Sequence, residues 1–317
     1  MAQKILKKDR GKKAKLLIHR IKVNRQIYIM LIPVVLFYLL FNYLPMSGIV
    51  LAWKKYRHTM GIWGSPWVGW NVFKKLFAHP DMSRAITNTL LISALKLACC
   101  FPAPIILALF LNEFKNKSYK KTIQTMIYLP NFISWVIIGG LIKTALSYDY
   151  GIINNILAMF DGSRIQFLTT SKYFYPILIL SEIWKSTGWG TVIYIAAISG
   201  IDPTLYEAAS IDGCKRFRLM LHITLPSILP IIAIMLIMQL SNIMNAGFDS
   251  VYNLYNPVIY DVADIIDTML YRLGVEKGQF ETATAIGLFK NVINFTLLIM
   301  GNFITKRLSG YSMYSLD

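Results

Sequence analysis

Charged residues are scarce in this chain. Of its 317 residues, 15% are Asp, Glu, Lys or Arg, whereas about 25% is usual in a soluble domain. The charges are also clustered, and between the clusters lie apolar runs of about 20 residues, which is the length that crosses the ~30 Å hydrocarbon layer of a membrane as a helix. Hydrophobic residues make up 55% of the chain. This composition excludes a soluble domain with a few buried helices and predicts an all-α, polytopic membrane helix bundle.

The residues that carry most enzyme and metal chemistry are also few. The three cysteines, Cys99, Cys100 and Cys214, form neither a disulfide framework nor a metal-binding spacing. The four histidines are scattered over loops and predicted membrane edges, whereas a membrane enzyme would need a nucleophile–base pair or a metal set. The sequence contains no G-x-x-x-x-G-K-[ST] phosphate-binding loop. We therefore expect no catalytic residue, no metal site and no cofactor bound by this chain.

Acidic residues are half as frequent as basic ones, with 16 Asp and Glu against 33 Lys and Arg and a net charge of +17. Ten of the basic residues lie in residues 1–25, ahead of the first apolar run, with one acid among them. A basic arm beside a membrane span is typical of a cytoplasmic flank near anionic lipid, so the charge does not indicate nucleic acid. The first apolar run is long enough to remain in the membrane, and we expect no cleavable signal peptide.

Six apolar runs are long enough to cross the membrane. They cover about 26–50, 86–111, 122–146, 173–199, 226–246 and 284–304. With the N-terminus inside, the cytoplasmic segments hold 19 Lys and Arg against 6 acids, and the outer segments hold 10 against 9. The positive-inside rule then predicts a basic cytoplasmic arm over 1–25, a transmembrane domain over 26–306 with a cytoplasmic loop at 200–226, and a cytoplasmic tail over 307–317.

The predicted outer segments are short and rich in aromatic residues. The third of them, 247–283, is also acidic, with Asp249, Asp261, Asp264 and Asp267. It is a candidate docking rim for an external partner, and a solvated loop is equally compatible with it.

The polar loop at 200–226 has helix signals of its own. Asp202-Pro203 indicates an N-cap followed by proline at the first helical position, and Gly213 can adopt the left-handed conformation that ends a helix. The helix between them has about ten residues, which is too short to be stable alone in water. It must therefore dock on something, and the small Ala208 and Ala209 with the charged Glu207 suit a partner surface.

The motif of this loop is specific. Glu207-Ala208-Ala209 is followed after three residues by Gly213, and after nine more by Ile223-x-Leu225-Pro226, a pattern that resembles the signature loop of the membrane subunits of binding-protein-dependent ABC importers. Flanking motifs extend the resemblance over nearly the whole chain. The motifs similar to the carbohydrate-uptake branch include Trp184-Lys185-x-x-Gly188-Trp189-Gly190, Gly200-Ile201-Asp202-Pro203, Asn88-Thr89-Leu90 and Asn302-Phe303-Ile304-x-Lys306-Arg307. With its basic arm, the chain looks like permeases for oligosaccharides and polysaccharides such as alginate or pectin-derived saccharides.

The resemblance implies the ABC importer type I transmembrane fold and a non-catalytic permease subunit that forms half of a translocation pathway. It implies that a helix over about Thr204 to Ile211 couples to an ATPase, with Glu207 paired to a basic residue of that subunit and Gly213 permitting the turn. The residues expected to take part in this coupling are Tyr206, Glu207, Ala208, Ala209, Asp212, Gly213, Lys215 and Arg216.

The resemblance also implies the partners. These are a second homologous permease subunit, two ATP-binding subunits that hold ATP and Mg²⁺, an extracytoplasmic solute-binding protein, the lipid bilayer and a saccharide substrate. Some members of the family carry a large outer domain that this chain lacks, which leaves docking of the binding protein to the short aromatic loops.

Polar side chains within the spans are candidates for lining a saccharide pathway, because such groups are costly in a membrane and because indole faces and amides suit sugar rings and hydroxyls. The candidates are Asn131, Trp135, Glu182, Lys185, Trp189, Gln239, Asn242, Asn245, Lys290 and Asn294. Asn131 and Trp135 are spaced i, i+4 in the third span, and Glu182 could pair with Lys185. Lys185 and Lys290 would favour an acidic saccharide such as a uronate.

Three alternatives stay open at this stage. The intramembrane amides are also common interhelical contacts, each contributing about 0.6 to 2 kcal/mol. The solute of an ABC importer could be a phosphate ester, a polyamine or a peptide fragment. An ion-coupled secondary transporter would show intramembrane carboxylates, but only Glu182 lies in a predicted span and the polar loop would be left without a role.

Overall fold

The computed structural model describes residues 23–114, 116–160 and 162–309, and these form helices and no strand apart from one isolated bridge between Lys54 and Trp67. The predicted all-α class is confirmed. In chain order the numbered helices are α1 (Arg25–Trp53), α2 (Asn71–Phe77), α3 (Pro80–Asn112), α4 (Lys117–Phe132), α5 (Trp135–Ala145), α6 (Ile152–Met159), α7 (Ser171–Ser199), α8 (Pro203–Ile211), α9 (Arg216–Ser241), α10 (Phe248–Leu254), α11 (Tyr260–Ala263), α12 (Ile266–Tyr271) and α13 (Phe280–Ser309). Short helical turns at Gly61–Gly64, Pro257–Ile259 and Arg272–Glu276 are left unnumbered. Nearly all of the predicted basic arm (1–22) and most of the predicted tail (310–317) lie outside the described residues.

Within the described residues, four helices are long and apolar enough to cross a membrane, namely α1, α3, α9 and α13, and the bent pair α4 and α5 makes a fifth if it is one span. The helix at the predicted fourth span is α7, with 29 residues. It differs from the others because Glu182 and Lys185 lie in its middle.

The third predicted span is not one straight helix. α4 and α5 meet at an angle of 94°, with Pro130 and Asn131 in a single 3₁₀ turn at the break. Proline has no N–H to continue the helical ladder, and the Ser134 side chain accepts a hydrogen bond from Ile137 N that starts α5 afresh. The predicted i, i+4 relation of Asn131 to Trp135 is therefore wrong.

Buried apolar side chains hold the bundle together in clusters along its length. Toward the end that carries α8, Ile105 of α3, Tyr194 and Ile198 of α7 and Ile228 of α9 pack together. Toward the opposite end, where the segments 54–79, 147–170 and 247–279 lie, α2, α12 and the start of α13 pack on the end of α1. The apolar window of α1 has none of its residues buried, so the part of this helix up to Met46 turns its side chains away from the rest of the chain.

Helices α4 and α7 touch at a glycine. A Cβ placed on Gly188 would lie closer to the Ile127 carbonyl oxygen than van der Waals contact allows. Only glycine permits this approach, which brings the break after α4 against the polar middle of α7.

Candidate functional site

Residues 200–226 form a capped helix, a tight turn and the start of α9. The Asp202 carboxylate accepts a hydrogen bond from Thr204 N at 3.0 Å, and this bond holds the pKa of Asp202 below its ordinary value. The cap therefore stays charged at neutral pH and complements the positive end of the α8 dipole. The chain turns at Gly213, whose φ of +76° is a left-handed conformation that side chains disfavour. The predicted cap at Asp202 and left-handed turn at Gly213 are both confirmed.

The surface of α8 is uncovered, and none of its residues is buried. The exposed fraction is 48% for Leu205 and 87% for Ile211, and it is 65% for Phe217 in the first turn of α9. Around these apolar side chains stand four charged candidate residues that have no ion-pair partner among the described residues: Glu207, Asp212, Lys215 and Arg216. An apolar patch with a charged rim is typical of a protein interaction site.

Tyr206 points the other way, toward α9. Its Oη lies 3.0 Å from Thr224 Oγ1, and Thr224 is 1% exposed. Thr224 in turn contacts the Leu219 carbonyl oxygen at 3.5 Å across a π-helical turn over Met220–Thr224. Among the predicted coupling residues, Tyr206 thus ties α8 to a membrane helix, while Ala208 is exposed and Ala209 is partly buried.

The break between α4 and α5 gathers several of the predicted pathway residues. Lys185 Nζ donates hydrogen bonds to the carbonyl oxygens of Asn131, at 2.9 Å, and Ile133, and lies 3.5 Å from that of Pro130. It also lies 5.9 Å from the centre of the Trp135 ring. An ammonium group has three hydrogens to donate, so Lys185 caps carbonyls that the broken helix leaves unpaired.

An indole face stays open beside this break. The rings of Trp189 and Phe132 meet edge to face with centroids 6.0 Å apart, and both side chains are more than half exposed. The structure therefore brings Asn131, Trp135, Lys185 and Trp189 into one neighbourhood, although the sequence placed them on two separate spans.

The predicted pairing of Glu182 with Lys185 is wrong. Glu182 Oε2 instead accepts a hydrogen bond from Lys96 Nζ at 2.7 Å, and Lys96 also donates to Ser250 Oγ at 3.0 Å. The pair links α3, α7 and α10, three elements that are far apart in sequence. Lys96 was missed, although a lone lysine within an apolar run is itself a signal.

The polar residues of the fifth predicted span also meet Lys96. A small cavity of about 20 Å³, enough for a single water molecule, is lined by Lys96, Ser93, Gln239, Asn242 and Asn245. Gln239 is in the last turn of α9, but α9 ends at Ser241, so Asn242 and Asn245 lie in the turns that follow. The helix of the fifth predicted span, 226–246, is therefore shorter than predicted at this end.

The candidate residues of the sixth predicted span also contact other residues of the chain. Lys290 forms an ion pair with Asp267, a residue of α12. Asn294 Oδ1 accepts a hydrogen bond from Met244 N at 3.1 Å. The sequence predicted that Lys185 and Lys290 would favour an acidic saccharide. In the structure, Lys185 donates hydrogen bonds to backbone carbonyl oxygens, and Lys290 is paired with Asp267.

Two of the four aspartates of the predicted acidic rim are internal. Asp267 pairs with Lys290, and the buried Asp264 pairs with Arg272 at 2.6 Å. The hydrogen bond to Asp264 raises the pKa of Arg272 further above its ordinary range. The notion of an acidic rim is wrong for these two residues, since the tertiary partners neutralise them.

The Asn88-Thr89 motif lies on α3 and holds the segment 261–266 against that helix. Asn88 Nδ2 donates to the carbonyl oxygens of Asp261 and Asp264, at 3.0 Å each, and Thr89 Oγ1 accepts from Ile266 N at 2.9 Å. These buried bonds satisfy backbone groups that no helix ladder pairs.

The chain is similar to known membrane transport proteins. Residues 101–310 match the family described as binding-protein-dependent transport system inner membrane component. The polygalacturonan/rhamnogalacturonan transport system permease protein YteP of Bacillus subtilis is 43% identical, covering 98% of this chain and 96% of its own length. The structure resembles a chain of a bacterial ABC transporter involved in the import of the acidic polysaccharide alginate, with 41% identity, a TM-score of 0.86 and coverage of 92% and 99% of the two chains. A chain of the bacterial alginate ABC transporter in complex with an alginate pentasaccharide-bound periplasmic protein matches with 40% identity, a TM-score of 0.85 and coverage of 93% and 99%. The expected type I importer fold is confirmed by these matches.

Proposed function

The chain belongs to the binding-protein-dependent transport system inner membrane components, the sugar-permease branch of ABC transporters, and on that premise we propose that it imports oligosaccharides or polysaccharide fragments as one of two permease subunits. ATP hydrolysis takes place in separate subunits that bind ATP and Mg²⁺. A solute-binding protein delivers the saccharide to the opposite end of the bundle, and both chain termini lie in the cytoplasm.

One observation carries the coupling part of this proposal. α8 is a nine-residue helix, too short to persist alone in water, yet its apolar and charged side chains are uncovered. A partner surface that covers Leu205 and Ile211 and pairs with Glu207 accounts for both facts. Closure of two ATPase subunits would then push α8, and the Tyr206–Thr224 hydrogen bond would pass the movement to α9.

The second permease subunit is supported by α1. Its apolar side chains up to Met46 are exposed, so they must lie against lipid or another membrane protein. A homologous subunit packed on this side would close a pathway that a single chain leaves open.

For the pathway, we propose that the open indole of Trp189 and the amides of Asn131, Gln239, Asn242 and Asn245 contact the saccharide. Trp135, Glu182, Lys185, Lys290 and Asn294 line the same region, and their ion pairs and hydrogen bonds fix its shape. A saccharide is favoured over a phosphate ester, polyamine or peptide because YteP is named for polygalacturonan and rhamnogalacturonan transport and the matching structure belongs to a transporter involved in the import of alginate.

The experiment is to replace Glu207 with Gln and Gly213 with Val in the reconstituted importer and to measure saccharide uptake together with substrate-stimulated ATP hydrolysis. Both variants should insert normally and lose most coupled uptake. Lys117→Gln, at the start of α4, is the matched control and should transport normally. Uptake at the normal rate in both loop variants would contradict the coupling proposal.

A further inference from the structure

A basic cavity lies at the end of the bundle opposite α8. Its volume is about 660 Å³, within the roughly 300–1,000 Å³ range of small-molecule sites. It lies between α2 and the segment that joins α12 to α13, and buried side chains such as Leu76, Met269 and Leu273 form its apolar wall.

The charge around this cavity is strongly one-sided. Four lysines line it, Lys55, Lys74, Lys75 and Lys277, against a single carboxylate, that of Glu281. None of the four has an ion-pair partner within the part of the chain that the structure describes. A concave surface lined by one sign of charge focuses the field and raises the local concentration of the opposite ion.

The same cavity offers more than charge. The amides of Asn71 and Gln279 line it and can donate to and accept from hydroxyl groups. The apolar wall suits the C–H face of a sugar ring. A ligand that combines repeated carboxylates with hydroxyls and ring faces matches this lining, whereas a simple inorganic anion would leave the wall and the amides unused.

We propose that this cavity binds the carboxylates of an acidic oligosaccharide and selects it before it reaches the spans. This rests on the proposed function, and it assigns charge selection to Lys55, Lys74, Lys75 and Lys277 in place of Lys185 and Lys290, whose ammonium groups are engaged within the chain. Because the four lysines are exposed, the attraction is screened by salt, so binding is weak and readily reversed, as passage toward a pathway requires.

The test uses the full chain in nanodiscs of a zwitterionic lipid, so that no anionic headgroup competes. The probes are trigalacturonate and its methyl ester, which keeps the rings and hydroxyls but removes the charges. Binding of each probe is measured at two salt concentrations for the natural chain, for a variant with all four lysines replaced by Gln, and for Lys172→Gln. Lys172 is an exposed lysine at the same end that does not line the cavity.

We expect trigalacturonate to bind roughly ten-fold more tightly than the ester at low salt, as two or three exposed ion pairs would give at a factor of about two to five each. The four-lysine variant should lose this preference and keep its affinity for the ester, which also shows that it is folded. The Lys172→Gln variant should behave as the natural chain.

Equal affinity for the acid and the ester, or a preference that survives in the four-lysine variant, would overturn the proposal. So would an equal loss in Lys172→Gln, because any basic surface would then suffice. The proposed function fails separately, if the reconstituted importer takes up neither probe. Uptake of the ester with no preference for the acid contradicts only the role of the cavity.

Discussion

The hydrogen bond between Tyr206 and Thr224 offers the sharpest test of how α8 is joined to the membrane domain. Tyr206→Phe removes one hydroxyl and leaves the ring in place, so the loss isolates the 3.0 Å contact. A net hydrogen bond contributes about 0.5–1.5 kcal/mol. Thr224 keeps its contact with the Leu219 carbonyl oxygen and is not left unpaired, so we expect a loss of about 1 kcal/mol.

That loss predicts a measurable change in the opening of α8. Since 1.4 kcal/mol corresponds to a factor of ten, about 1 kcal/mol makes the detached helix roughly five times more populated. Hydrogen exchange of the amides over residues 204–213 should speed up by the same factor. In the reconstituted importer, more ATP should be hydrolysed for each saccharide transported.

A double-mutant cycle makes the result specific. Thr224→Val should have a similar effect, and adding it to Tyr206→Phe should cost little more, because the two changes remove the same contact. Tyr119→Phe, an exposed tyrosine in the first turn of α4, is the matched control and should change neither readout. Unchanged exchange in Tyr206→Phe, or fully additive effects of the two substitutions, would refute a mechanical role for this bond.

Three further substitutions test the packing of the bundle. Gly188→Ala should lower the stability of the folded protein by about 1–3 kcal/mol, because the new Cβ meets the Ile127 carbonyl oxygen, whereas Gly140→Ala, with no atom within 4 Å of its Cβ position, should change thermal unfolding little. Lys185→Met should reduce uptake of acidic and neutral saccharides equally, because it uncaps the break between α4 and α5 instead of removing a free charge; a selective loss of acidic uptake would contradict this. Asp264→Asn should destabilise the protein by about 3 kcal/mol in a thermal scan, since it leaves a half-buried guanidinium without its counter-charge, and unchanged unfolding would show that the pair is dispensable.

The sequence identified polar residues within the predicted spans, but it did not identify the residues that they contact. The sequence predicted that Glu182, Lys185 and Lys290 are functional because polar groups are costly inside a membrane, and each of them does have specific contacts. It could not predict the partners, since Lys96 lies 86 residues from Glu182 and Asp267 lies on a separate helix from Lys290. Spacing along a helix reports which residues share a face, but it does not report what that face meets.

The sequence by itself determined the all-helical class, the capped helix at Asp202–Ile211 and the turn at Gly213, because these follow from hydrophobic content and local backbone preferences. Only the tertiary structure decided where the charges act. It turned the carbonyls freed at the Pro130 break toward Lys185, and it paired Lys290 with Asp267. It also placed four lysines around one cavity. The physical reason is that apolar length and caps are local properties of the chain, whereas the state of a charge depends on which distant groups the packed helices bring beside it.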